Sequence, residues 1–244
     1  MDGPHLLALA PDLDVPALAA AYARDRRVQV RGALTEPSAR LIQRILAEAT
    51  PWGMAWQAGD HGPERIRAEA MAAMPAAERQ ARSQATARAM RGSDYAFAYS
   101  SYPLVDAYLE KWAPGGPHDA LLEYMNGPPV LELVRAITGV PELIKADAQA
   151  TLYAPQHFLA VHNDANAGAG RRVAYVLSLC SEDWRPDWGG YLNFYDDDGD
   201  VITGYRPRFN ALNLFAVPQR HNVSFVPPFA PPARFAITGW FRDR

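Results

Sequence analysis

From Asp147 onward the chain repeats one pattern, a short apolar or alternating run closed by turn residues. Eight such runs predict strands, roughly at Asp147–Ala154, His157–His162, Arg172–Cys180, Gly190–Tyr195, Val201–Gly204, Ala211–Phe215, His221–Val226 and Arg234–Arg242. Prolines 186, 207, 218, 227, 228, 231 and 232 fall in the connections, where the missing N–H breaks no ladder. Almost no helical period lies between the runs, which disfavours a parallel α/β sheet. Eight short antiparallel strands fold as a jelly roll.

The first half has a different grain. Apolar stripes of helical period run through Asp14–Arg24, Glu36–Ala49 behind Thr35, and Pro129–Ile137 before Gly139. Val28 and Val30 alternate with polar neighbours in a short strand. Glu64–Met74 and Ala76–Arg91 read as two helices separated by Pro75, the second too rich in Ala, Arg and Gln to be buried. The expectation is an α+β protein of one folding unit, with a helical support region over residues 1–146 and a jelly-roll core over 147–244. Hydrophobic residues at 49% and charged residues at 21% suit such a core. The net charge of −3 gives no general attraction for nucleic acid or acidic membranes, and no run approaches a bilayer span. Cys180 stands alone, so no intrachain disulfide and no cysteine zinc site can form. The N-terminal acids and prolines differ from a secretion signal, and the expected compartment is the cytoplasm.

Chemistry concentrates at His162-Asn163-Asp164, at the end of the second predicted strand. By itself the pair is weak evidence, because a composition of 6 histidines and 27 acids yields roughly 0.7 His-x-acid matches by chance. A lone His162 is more often a structural histidine with a hydrogen bond. His221 opens the seventh strand, however, which neighbours the second in a jelly roll. Two imidazoles and a carboxylate that leave coordination positions open form the arrangement used by non-haem Fe(II) oxygenases. On the last strand Arg234, Ala236, Thr238 and Trp240 share one face. If that face lines the barrel, Arg234 is a buried cation that needs an anion, such as a bound dicarboxylate; otherwise it is a surface or ion-paired arginine.

His162-x-Asp164, then His221, then Arg234 with Ala-Ile-Thr-Gly-Trp after Phe235, resembles the Fe(II)/2-oxoglutarate dioxygenases, and among them the prolyl hydroxylase branch. The resemblance spans Tyr153 to Phe241 and includes Asp183-Trp184 and Gly189-Gly190. It implies a double-stranded β-helix, with His162, Asp164 and His221 as Fe(II) ligands and Arg234 on the distal carboxylate of 2-oxoglutarate. It further implies Tyr153 and Thr238 as cosubstrate contacts, O2 as oxidant, ascorbate as a candidate reductant, and succinate and CO2 as co-products. A prolyl residue of a protein or peptide is the implied substrate, and a free amino acid or other small molecule is the alternative. Tyr153 and Trp240 read equally as core. The gap from His221 to Arg234 holds four prolines and is longer than the resemblance leads one to expect, which leaves Arg220 and Arg242 as fallbacks. Arg172, with Arg171 beside it, and Trp240 are candidates for substrate contact, although charged strand ends are usually solvated. Segment Asp60–Pro114 and loop Asp164–Gly170 are the candidate substrate-gripping parts, with Tyr95, Phe97 and Tyr99 as ring faces or as core. The acidic stretch Asp196–Asp200 lacks the flanks of a calcium loop and reads as a turn. The contrasting class is a non-catalytic cupin or lectin-like jelly roll, which gives no reason for an inward arginine.

Overall fold

The fold is described from a computed structural model, over residues 7–165, 168–180 and 183–244. Helix α1 (Val15–Asp25) starts where the Asp14 carboxylate accepts the Ala17 N–H at 3.0 Å. Strand β1 (Arg27–Arg31) follows, then α2 (Glu36–Arg44), which continues into a π-helical turn at Ile45–Ala49. Next come the hairpin β2 (Gly53–Ala58) and β3 (His61–Ile66), short helix α3 (Ala68–Ala73) and α4 (Ala76–Arg91). Strand β4 (Ala96–Tyr102) leads to α5 (Leu104–Leu109), α6 (Pro117–Met125) and α7 (Pro128–Thr138). Gly139, at φ +66°, terminates α7 in the left-handed conformation that glycine adopts without a Cβ penalty.

The second half supplies β5 (Lys145–Ala146), β6 (Gln149–Tyr153), β7 (Phe158–His162), β8 (Arg171–Ser178) and β9 (Leu192–Tyr195). It ends with β10 (Val201–Tyr205), β11 (Ala211–Ala216), β12 (His221–Val223) and β13 (Arg234–Arg242). All eight predicted strands are present. The sheet runs β1-β11-β8-β13-β6-β4-β7-β12-β9-β10, antiparallel throughout, and folds on itself as a double-stranded β-helix.

The first half is not helical support alone. Strand β1 extends one end of the sheet, and β4 lies between β6 and β7, so that Ser101 faces Thr151 and Ala98 faces Phe158. The helix expected over Glu64–Met74 is strand β3 up to Ile66 and helix only from Ala68. Residues 61–66 pair with β2, with Trp56 opposite Glu64, and a ladder to a neighbouring strand overrides a local helical preference. Helices α5 and α6 go beyond the elements expected from the sequence. Helix α4 buries only Thr86 and Ala89, as its composition predicts.

Alternation along β8 divides the interior in two. Val173, Tyr175 and Leu177 face outward into a core shared with Ile42, Leu46, Val134 and Ile137 of the helices. Each fully buried aliphatic side chain there contributes about 1.5–3 kcal/mol. Ala174 and Val176 face inward, where smaller clusters around Phe194 and Tyr153 leave room for polar groups.

Candidate metal centre and cosubstrate pocket

His162 and His221 sit directly opposite each other on β7 and β12. Between this pair and the next, Leu159 with Val223, β7 advances three residues while β12 advances two. The extra residue is a β-bulge, and it turns His162 to the inner face although Phe158 and Ala160 of the same parity pack outward. Asp164 completes the group at φ +60°, in the left-handed region that Asp tolerates better than most residues. One ligand atom from each of His162, Asp164 and His221 falls within 4.8 Å of the others.

The tautomers follow from the hydrogen bonds. His162 Nδ1 lies 3.0 Å from the Ala160 carbonyl and His221 Nδ1 lies 2.8 Å from the Gln219 carbonyl. A carbonyl only accepts, so in each neutral ring Nδ1 carries the proton and Nε2 keeps its lone pair. These lone pairs meet the Asp164 oxygens at 3.3 Å and 3.5 Å. Three acceptors then converge with no proton between them, and a cation resolves that conflict. The donor set of two imidazole nitrogens and one carboxylate fits Fe(II).

Burial acts to raise the Asp164 carboxyl pKa, but His162 and His221, which present a positive charge to it whenever either ring takes a second proton, outweigh burial, and the net value is lowered. The Trp240 indole N–H adds to that pull without making a hydrogen bond of normal geometry. His221 is held down to about 4, first by burial and then by His162, against the opposing pull of Asp164. A native pKa below the ordinary 6.5 means that the unfolded chain takes up a proton which the folded one refuses. The stability that unprotonated His221 contributes to the metal-free protein is therefore full above about pH 6.5 and is lost as pH falls through about 4. His118 and His157, also lowered by burial, act in the same direction. The specific reading is thus the difference in melting temperature between wild type and His221→Gln, which should narrow or reverse across that window. A difference constant from pH 7 to 4 would remove His221 from the account.

Arg234 is only 4% exposed and faces Tyr153 across the β13–β6 ladder. Its guanidinium carbon lies 4.5 Å from the Tyr153 ring centroid, and its Nε donates to the Gly190 carbonyl at 2.5 Å. No carboxylate among the described residues pairs with it, and burial lowers its pKa. Gly190 is at φ +66°, and a Cβ there would stand 2.6 Å from Arg234 Cδ, so the arginine's path requires glycine. Trp184, fully buried and donating to the Gly189 carbonyl at 3.1 Å, fixes that turn.

The fallback arginines are engaged elsewhere. Arg220 donates to the carbonyls of Asp196 and Asp197, and Arg242 pairs with Asp147 at 3.2 Å. The proline-rich connection before β13 therefore leaves Arg234 in place. Arg172 is exposed and paired with Asp243 at 3.1 Å, so its expected substrate contact is not supported. Its neighbour Arg171 instead lies over the Trp240 ring at 3.6 Å. A bulge between Phe241 and Arg242 shifts the register and reverses which of the two arginines points to the mouth. There a cavity of about 200 Å³ is lined by Gln149, Arg171, Thr238 and Trp240.

The sequence leaves the β4 rings open between core and ligand contact, and in the fold they divide. Tyr99 is buried and stacks on Tyr153 at 5.0 Å, whereas Tyr95 and Phe97 are half-buried, with Tyr95 at 6.2 Å from His162. In the loop Asp164–Gly170, residues 166 and 167 lie outside the described residues.

Residues 148–242 match the family model of the 2OG-Fe(II) oxygenase superfamily. No curated protein matches the chain. Among solved structures, a Pseudomonas putida prolyl-4-hydroxylase is 23% identical with a TM-score of 0.57, over 94% of this chain and 99% of that one. A Trichoplax adhaerens prolyl hydroxylase, in complex with a hypoxia inducible factor oxygen degradation domain peptide fragment, is 17% identical with a TM-score of 0.50, over 94% and 89%. The non-heme alpha ketoglutarate dependent epimerase SnoN from nogalamycin biosynthesis is 14% identical with a TM-score of 0.53, over 92% and 80%. At such identities these three establish the shared fold, which serves more than one reaction. Over residues 148–242, its strand-rich unit, the chain is thus similar to the 2OG-Fe(II) oxygenase superfamily, and it shares the fold of these solved oxygenases.

Proposed function

We propose that this chain is a dioxygenase that hydroxylates a prolyl C–H bond in a protein or peptide, with His162, Asp164 and His221 holding Fe(II) and Arg234 holding 2-oxoglutarate. The observation that carries the cosubstrate assignment is the buried Arg234, without a carboxylate partner, on the inner face that also carries the three-residue cluster. A dicarboxylate gives that cation its anion, and the planar guanidinium suits a bidentate contact. Tyr153 closes one side of the guanidinium, and Thr238, two pleats along β13, faces the same space. When bound, Fe(II) couples oxidative decarboxylation of 2-oxoglutarate by O2 to oxidation of the substrate C–H, yielding succinate and CO2. The protein's own part is to present unprotonated imidazole nitrogens, keep Asp164 ionised, orient the cosubstrate and exclude water with the Tyr99–Tyr153 stack.

Support for a polypeptide substrate comes from the likeness to two prolyl hydroxylases and from the half-buried Tyr95, 6.2 Å from His162, with Phe97 packed against it. Their ring faces offer apolar surface against which a pyrrolidine packs, and the mouth cavity with Arg171 and Trp240 receives the flanking chain. The test supplies Fe(II), 2-oxoglutarate and ascorbate, then compares a proteome-derived peptide library with free proline and other free amino acids. Succinate release should accompany the gain of one oxygen atom on proline in peptides. Hydroxylation of a free amino acid with no peptide modified would overturn the substrate and leave the oxygenase intact.

A further inference from the structure

A second cavity lies on the other side of the sheet from the metal cluster. Helices α3 and α4 pack on β2 and β4, and together with outward residues of β7, β9 and β12 they line a groove of about 690 Å³. The bulge in β7 separates the two sites: His162 and His221 face inward, while Ala160, Val161 and Asn222 face the groove. Its walls are apolar and adaptable. Four of the six methionines, Met54, Met71, Met74 and Met90, line it together with Trp56 and Phe158. Thioethers on unbranched chains reshape around irregular apolar ligands. The groove is open along one side, where Met90 is 47% and Phe225 is 52% exposed.

Charge in the groove has one sign. Among the described lining residues Arg79 and Arg82 are the cationic pair, and no carboxylate lines it. Arg82 is held by Glu64 at 2.8 Å and Glu78 at 3.0 Å, but Arg79 pairs with no carboxylate among the described residues. On the floor the Asn222 side-chain oxygen is buried without a hydrogen-bond partner, so it calls for a donor. The volume falls within the range of small-molecule sites.

We propose that this groove binds an amphipathic carboxylic acid, with its apolar chain among the methionines, its carboxylate at Arg79 and an N–H or O–H donor on Asn222. The site is separate from the oxygenase centre and does not depend on the prolyl reading. N-dodecanoylglycine carries all three features and serves as the probe, titrated calorimetrically into the protein with saturating 2-oxoglutarate present. One equivalent should bind below about 100 µM. Dodecylamine should bind at least about tenfold more weakly, and so should the probe to Arg79→Glu, which replaces attraction by repulsion. Dodecanoate, lacking the donor, should bind more weakly than N-dodecanoylglycine. Ala87→Trp, on an exposed position of α4 that lines the groove, should block the probe while succinate formation is unchanged. Absence of binding, loss of binding on adding 2-oxoglutarate, equal affinity for the amine or for dodecanoate, or unchanged affinity in either variant would each overturn the proposal.

Discussion

His221→Ala abolishes both Fe(II) retention and succinate formation, if the proposed ligand set is correct. Loss of one of three protein ligands removes a bond that a water molecule replaces poorly, and leaves His162 and Asp164 too few to hold a divalent ion tightly. Metal content after gel filtration and 2-oxoglutarate turnover should both fall to background. His221 is only 4% exposed and packs at 4.6 Å from the Phe215 ring, so its removal also disturbs packing. His162→Ala separates the two effects, because that side chain is 20% exposed and, apart from His221, its ring neighbour is Tyr95 at 6.2 Å. A folded His162→Ala protein that retains iron and full turnover would refute the assignment.

The second large effect is on the cosubstrate. Arg234→Ala should raise the KM for 2-oxoglutarate by at least about a hundredfold, since stranding one member of a buried charge pair costs about 3–5 kcal/mol. Arg234→Lys restores the charge but not the planar fork, and its shorter reach past Gly190 leaves the carboxylate poorly held, so only partial rescue is expected. Metal content should be unchanged in both variants, which distinguishes a lost cosubstrate contact from a collapsed barrel. A KM within a few fold of wild type would give the role to another donor in the pocket.

Much of the site is legible in the amino-acid sequence because its chemistry is carried by residue types with few alternative uses in that order. Two histidines, an acid between them in sequence, and a late arginine with period-2 partners define both the donor set and the face. The eight strands are legible for the same reason: prolines and turn residues bracket each run, and local turn chemistry acts over only a few residues. Helix α7 is equally local, with its apolar stripe and Gly139 stop.

Features made by pairing at a distance are not legible in this way. Nothing near residues 61–66 signals a strand, because its partner is β2 and the helical preference of Glu64–Met74 is the stronger local signal. The placement of β4 between β6 and β7, which brings Tyr95 to His162 and Tyr99 to Tyr153, depends on strands about fifty residues or more away. Alternation counts fail wherever a strand gains a residue. The β7 bulge turns His162 inward against its parity, and the bulge near Arg242 presents Arg171 in place of Arg172. Local period and turn chemistry thus determined the eight strands of the jelly roll, and the family resemblance pointed to His162, Asp164 and His221 as its candidate ligands. Register alone decided which side chains face the barrel interior, because a one-residue shift in a strand moves a side chain to the opposite face of the sheet.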